Sequence, residues 1–395
     1  MQETWRWFGP DDPVSLRKVA QAGATGVVTS LHHVPTGEAW PLQDILDRKS
    51  EIESHGMNWA VVESVPVHND IKTRSGDYPR LIDNYRQSLR HIGAAGIEVV
   101  CYNFMPVVDW TRTNLVYTLP SGARALRFEM TDFAAYDVYM LQREGAAGDY
   151  DPNMLERARE RFDGLSDVER DLLEENIIAG LPGGEGSYDR AGIRNAIAEF
   201  IELGTEGLRA NLFAFLDEVV PAAEEAGVRL CIHPDDPPFS LFGLPRVVST
   251  AADARALLGR VPSPSNGLTL CAGSFGARAD NDLVEMVREF GPDIHFVHLR
   301  NVRREPDGSF YESDHLDGDN DMIGLIGALL DEEHRRQDEG RVDRIPMRPD
   351  HGHLLDSEDD GGGVNPGYSY AGRMKGLAEL RGAICALESI RDRRF

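Results

Sequence analysis

The sequence predicts an α/β fold: a (β/α)8 TIM barrel, a single domain over residues 1–395, with a helical insertion at 121–208 after the fourth strand. Three observations predict it. Eight short apolar runs recur along the chain, and amphipathic stretches of helical period separate them. The chain has 395 residues and 41% hydrophobic content, enough for one such barrel with insertions. A doubly wound open sheet is the alternative, but it does not need eight units. It also usually carries a Gly-rich phosphate loop after the first strand, and none is present.

The elements follow in order. Thr4–Phe8 is the first strand, and a helix from Pro13 closes on Ala22 with Gly23 in the C-cap position. Gly26–Leu31 is the second strand, followed by a helix over Pro41–Gly56. Asn58–Glu63 is the third, followed by Tyr78–Gly96, and Glu98–Phe104 is the fourth. From 121 to 208 the rhythm breaks into charged helical sequence, punctuated by Gly180-Leu-Pro-Gly-Gly. That is more than one crossover helix needs, so the segment reads as an insertion over the barrel mouth, at a subunit contact, or as a solvated decoration. Val228–His233, Leu268–Ala272, Ile294–Leu299 and Ile345–Asp350 are strands five to eight. Helices over Ala251–Leu258, Asp282–Phe290, Met322–Glu339 and Met374–Ile390 alternate with them. Val, Ile, Leu and aromatic residues dominate the strands, as expected where both faces are covered.

The charge balance narrows the function. The chain has 66 acidic and 41 basic residues, a formal net charge of -25, and only four of the basic residues are lysine. A field this negative repels nucleic-acid phosphates and acidic lipid, so neither nucleic acid nor a membrane is an expected partner. No apolar run is long enough to span a bilayer and no secretory signal is visible. Four scattered cysteines without a C-x-x-C point to reduced thiols and a cytoplasmic location. The acidic excess is also what a protein adapted to concentrated salt would show; a GC-rich genome would explain arginine for lysine but not the excess of carboxylates.

In a parallel barrel, chemistry gathers at the C-terminal strand ends. Strand five ends in His233, strand six near Cys271, strand seven near His298 and strand eight at Asp350. Imidazole, thiolate and carboxylate all bind divalent metals, and adjacent strand ends converge on one point. Singly, each has an ordinary structural explanation; four in register point to a metal site. Cys101 and Cys231 lie within their strands and Cys385 on the last helix, and all three read as core. Arg6, Trp7, His32, Asn103 and Arg300 gather at the same rim. They suit a polyhydroxylated acid, with arginine for a carboxylate and Asn and His for hydroxyls. His351 and Tyr368 stand just beyond the last strand.

These residues sit in long motifs: Trp5-Arg-Trp-Phe-Gly-Pro, Leu31-His-His, Cys101-Tyr-Asn-Phe-Met-Pro, His233-Pro-Asp-Asp-Pro-Pro, Met347-Arg-Pro-Asp-His-Gly-His and Asn365-Pro-Gly-Tyr-Ser. Together they resemble the D-mannonate dehydratases of hexuronate degradation, over essentially the whole chain. The resemblance implies a xylose-isomerase-like barrel, one Mn(II) or Fe(II), and dehydration of D-mannonate to 2-keto-3-deoxy-D-gluconate. It places metal ligands on His233, Cys271, His298 and Asp350, and acid/base roles on His351 and Tyr368. A homo-oligomer is compatible with this reading. A metal-dependent sugar isomerase or epimerase of the same fold is the alternative, and it would show two or more carboxylate ligands or a catalytic lysine. An endonuclease is opposed by the charge, and a sugar sensor would show a closed coordination shell.

Overall fold

The computed structural model describes residues 1–108, 110–178, 190–341, 344–358 and 363–392. Twelve strands occur among them. In chain order they are β1 (Gln2–Arg6), β2 (Gly26–Thr29), β3 (Asn58–Glu63), β4 (Val99–Tyr102), β5 (Asn114–Thr118) and β6 (Arg124–Phe128). Then come β7 (Arg229–Ile232), β8 (Asn266–Cys271), β9 (Ile294–His298), β10 (Val302–Arg304), β11 (Phe310–Glu312) and β12 (Pro346–Arg348). The eight expected strands pair in parallel and close into a barrel in the order β1-β12-β9-β8-β7-β4-β3-β2. Alternate side chains point inward, where Val28, Val61, Val99, Cys101, Cys231 and Phe296 form the inner core. Outward-facing Val27, Val62, Val100, Leu230, Leu268 and Val297 join a much larger cluster with the surrounding helices. Burying each such side chain contributes roughly 1.5–3 kcal/mol, which is why the strands read as nearly continuous apolar runs.

The expected helices are present at Leu16–Gln21, Leu42–Glu53, Tyr78–Ala94, Ala251–Arg260, Leu283–Phe290, Met322–Asp338 and Tyr370–Asp392. Thr250 and Asp253 form a reciprocal capping box on the fourth of these. Leu377, Leu380 and Ile384 line the buried face of the last helix, and that places Cys385 off the face: it is exposed, not core as its sequence context suggested.

The insertion is largely helical among the described residues, with one addition: Arg124–Phe128 is β6 and pairs with β5, a strand that lies before residue 121. This hairpin joins β10 and β11 in a separate antiparallel sheet of order β10-β11-β6-β5. Helices Met130–Ala135, Pro152–Gly164 and Asp167–Ile178 follow. Gly180-Leu-Pro-Gly-Gly lies outside the described residues. Arg190–Ala226 is two helices meeting at Gly204 (φ 66°, ψ 176°), and the second of them leads into β7. Phe133 packs on Phe242 at 4.6 Å, which sets the insertion against the long segment following β7, on the C-terminal side of the barrel.

Candidate metal centre and active site

Register builds the site. In the parallel ladder of β8 and β9, Cys271 pairs with His298, and Arg348 of β12 pairs with the same His298. His233 follows β7 directly, its backbone N–H donating to the Tyr102 carbonyl at 2.7 Å. Three neighbouring strands therefore end on one spot, where donor atoms of His233, Cys271 and His298 all lie within 4.8 Å of one another.

The two imidazoles are oriented by what lies behind them. His233 Nδ1 is 2.7 Å from the Pro234 carbonyl, a contact in which Nδ1–H donates and Nε2 is left facing inward. His298 Nδ1 is 3.2 Å from that Nε2, while its own Nε2 lies 3.4 Å from Glu63 Oε1. A carboxylate behind a ring is a recurrent support for a metal-binding histidine. Cys271 Sγ accepts from Ser274 Oγ at 3.1 Å. Burial pushes the Cys271 thiol up, but Arg300 and then His233 outweigh it and hold it well below the usual thiol range. Burial pulls His233 down, and the neighbouring Cys271 thiolate overcomes this and lifts it to about 10. Each of the two groups thus favours the charged form of the other.

Asp350 stands beside this set. Its carboxylate is 3.8 Å from Cys271 Sγ and 3.9 Å from His298 Nδ1, but Arg300 Nε at 2.8 Å and an ion pair to Arg348 claim it. Its φ of 67° is in the left-handed region, a conformation that turns the carboxylate in from the strand end. Arg348 also reaches Glu63 at 3.0 Å, and Arg6 reaches Glu63 Oε2 at 3.3 Å. Arg112 and Arg300 both grip Asp236 and Glu312. Arg6, Arg112, Arg300 and Arg348 therefore oppose Glu63, Asp236, Glu312 and Asp350, a buried lattice in which removing one partner costs about 3–5 kcal/mol.

Above this floor, His351 and Tyr368 meet edge to face with ring centroids 5.0 Å apart. Gly352 bridges Tyr368 in parallel, so the turn Asn365–Tyr368 is stitched to the segment after β12. Gly367 has φ 81°, and a Cβ there would sit 3.1 Å from His351 Cγ; only glycine allows this close approach. His351 Nδ1 is 2.9 Å from both Glu312 oxygens. Burial pushes the Tyr368 phenol up to about 12.

The expected substrate residues divide. Buried polar atoms without a hydrogen-bond partner include Arg6 Nε, Trp7 Nε1 and both ring nitrogens of His32. Burial, with help from Arg6 and Arg48, pulls His32 down to about 3, leaving a neutral ring. Asn103 turns its amide oxygen back to the Met105 N–H at 3.3 Å. Arg300 is 2% exposed and its guanidinium is held by Asp236, Glu312 and Asp350, so it does not offer the free fork expected for a substrate carboxylate. Glu312, Asp236 and Arg112 were not singled out from sequence as site residues. The Glu305-Pro-Asp-Gly turn between β10 and β11 was the one signal that a hairpin delivers Glu312.

Residues 1–394 match the D-mannonate dehydratase (UxuA) family. The chain belongs to that family. It is 69% identical to the mannonate dehydratase of Saccharophagus degradans over 389 residues, 98% of each chain. The crystal structure of mannonate dehydratase from Streptococcus suis serotype 2 superposes with a TM-score of 0.78 at 33% identity, covering 99% of this chain and 95% of that one. A D-psicose 3-epimerase from Clostridium cellulolyticum H10 shares the fold alone, with a TM-score of 0.51 at 12% identity over 97% of this chain and 99% of that one. As a member of this dehydratase family, the enzyme is a hydro-lyase. The sugar-isomerase alternative is not favoured.

Proposed function

We propose that the enzyme converts D-mannonate to 2-keto-3-deoxy-D-gluconate and water, with Mn(II) or Fe(II) held by His233, Cys271, His298 and Asp350. The observation that carries this reading is the His–Cys–His set lying beside the His351–Tyr368 pair. The donor set fits such a metal: two oriented imidazoles, a thiolate and an adjacent carboxylate are a mixed N/S/O site, unlike the all-Cys cages of structural zinc. Bound there, the ion would acidify the C2 proton by drawing charge from the substrate carboxylate.

The chain's own residues do the rest. Arg6, Trp7 and His32 supply polar atoms for the carboxylate and hydroxyls, with Asn103 beside them. One of the His351–Tyr368 pair takes the C2 proton; the other protonates the C3 hydroxyl, which leaves as water as the C2–C3 double bond forms. Tyr368 enters as the neutral phenol at neutral pH, which suits it to giving rather than taking a proton. The enol product ketonises in solution. Glu63 behind His298 and the Pro234 carbonyl behind His233 keep the rings in place throughout. Lysine is scarce, and Lys375, which lines the same cavity as His351, is engaged by Asp314, against a Lys-based sugar isomerase. A cytoplasmic setting without nucleic-acid or membrane partners is consistent with the acidic chain; among the described residues, no helix is long and apolar enough to cross a membrane. The test is to incubate metal-loaded protein with D-mannonate and follow it by NMR. Formation of the 2-keto-3-deoxy acid is expected; an epimer with no loss of water would support the epimerase alternative instead.

A further inference from the structure

Glu312 belongs to neither the barrel nor the metal set. It ends β11 in the accessory sheet, yet its side chain is buried at the acid/base pair. Three donors converge on it. Arg300 Nη1 at 2.6 Å and Arg112 Nη2 at 2.9 Å both reach Oε1, and His351 Nδ1 lies 2.9 Å from each oxygen. The rest of the His351 ring is also fenced: Tyr368 at 5.0 Å and Trp110 at 5.9 Å meet it edge to face, and Gly367 passes beneath. Nε2 points the other way, 3.7 Å from Asp350 Oδ1 and so toward the reacting centre.

From this geometry we infer that Glu312 is a positioning residue that acts through His351, fixing the tautomer in which Nδ1 carries the proton and Nε2 is free for proton transfer. The inference rests on the proposed acid/base role of His351. The chemistry is that of a carboxylate behind an imidazole: a group that only accepts hydrogen bonds forces the facing ring nitrogen to be the donor. The two arginines make the choice rigid. They are donors only, and by both reaching Oε1 they hold the carboxylate with its two oxygens facing the ring. They also explain why a neutral amide cannot substitute. In Glu312→Gln the two guanidiniums would claim the amide oxygen, and the amide NH2 would then face Nδ1. That stabilises the opposite tautomer, with the proton on Nε2, the wrong atom to accept one. The accessory sheet thereby earns a function: it carries into the barrel mouth the carboxylate that sets the acid/base ring.

A merely structural ion pair predicts a different ranking. Gln is isosteric with Glu, so a packing role would make Glu312→Gln mild and the shorter Glu312→Asp worse. Tautomer control reverses the order. We expect Glu312→Gln to lower kcat by about 10²-fold or more with KM within about threefold and metal content unchanged, and Glu312→Asp to recover at least about tenfold of that loss. In a His351→Asn background, adding Glu312→Gln should change kcat by less than about twofold, because the ring it positions is gone. A Glu312→Gln enzyme with near-wild-type kcat, a Glu312→Asp enzyme slower than Glu312→Gln, or full additivity with His351→Asn would each overturn the inference. Wild-type kcat in His351→Asn alone would instead overturn the acid/base assignment beneath it. Should Glu312→Gln fail to accumulate, Glu312→Asp carries the test: a loss of kcat in the wild-type background and none in His351→Asn is expected, and an equal loss in both overturns the inference.

Discussion

At the scale of single residues, the proposed metal ligands stood out in the sequence because strand ends are the one place in a barrel where a polar residue interrupts an apolar run, whereas the proposed roles of His351 and Tyr368 came from the family resemblance. His233, Cys271 and His298 each close such a run. Arg300 was legible as a rim residue but not in its contacts, since nothing local reveals that three carboxylates from distant segments meet it. Two predictions belong here. His351→Asn or Tyr368→Phe should lower kcat by about 10²-fold or more while metal content stays near wild type, measured by steady-state kinetics and metal analysis; loss of metal in proportion to activity would make that residue a ligand or its support. The second concerns protons. Metal-free His233 is raised to about 10 beside the Cys271 thiolate, so it is protonated at neutral pH, and its Nε2 must lose that proton to bind an ion. Metal uptake should therefore release about one proton from this ring, and affinity should rise about tenfold per pH unit until the pH reaches about 10. Calorimetry in buffers of different ionisation enthalpy reads this directly, and metal binding without proton release would remove His233 from the ligand set.

At the scale of elements, the barrel strands were legible because burial on both faces leaves a run of Val, Ile and Leu that no helix period explains. The accessory sheet was not. β5 is half exposed and β10 and β11 are three residues each, too short and too polar to carry a strand pattern. Their pairing is nonlocal: β11 joins β6 nearly two hundred residues earlier in the chain, and Phe310 and Phe128 stack at 5.8 Å across that junction. The turn Asn365–Tyr368 is the other element the site depends on. Gly367→Ala should cost about 1–2 kcal/mol for its left-handed backbone and should lower kcat as well, because the new Cβ meets Leu126 and His351. Thermal melting and kinetics on one preparation check both. A Gly367→Ala enzyme with wild-type melting and turnover would show that this turn does not set the pair.

At the scale of the whole molecule, the charge of -25 is carried on a surface laced with Arg–carboxylate pairs such as Arg255–Glu289 and Arg260–Asp217, each contributing little in water. Salt screens the net repulsion over about 10 Å at 0.1 M and about 3 Å at 1 M. Screening alone therefore saturates below about 1 M, whereas a salt-adapted carboxylate surface keeps gaining as excluded salt favours the compact state. Melting temperature and dehydratase rate should both rise in KCl past about 1 M, and a plateau or fall above about 0.5 M would return the composition to genome bias. In the proposed reaction, one metal held by His233, Cys271 and His298, with Asp350 beside them, enables loss of water from D-mannonate. Titrating Mn(II) into metal-stripped enzyme while following 2-keto product tests it most directly. The rate should rise from near zero and break at about one equivalent per chain, and Cys271→Ala, folded but lacking the thiolate, should stay near zero over the same range. Full turnover in the stripped enzyme, or an undiminished rise with Cys271→Ala, would contradict it.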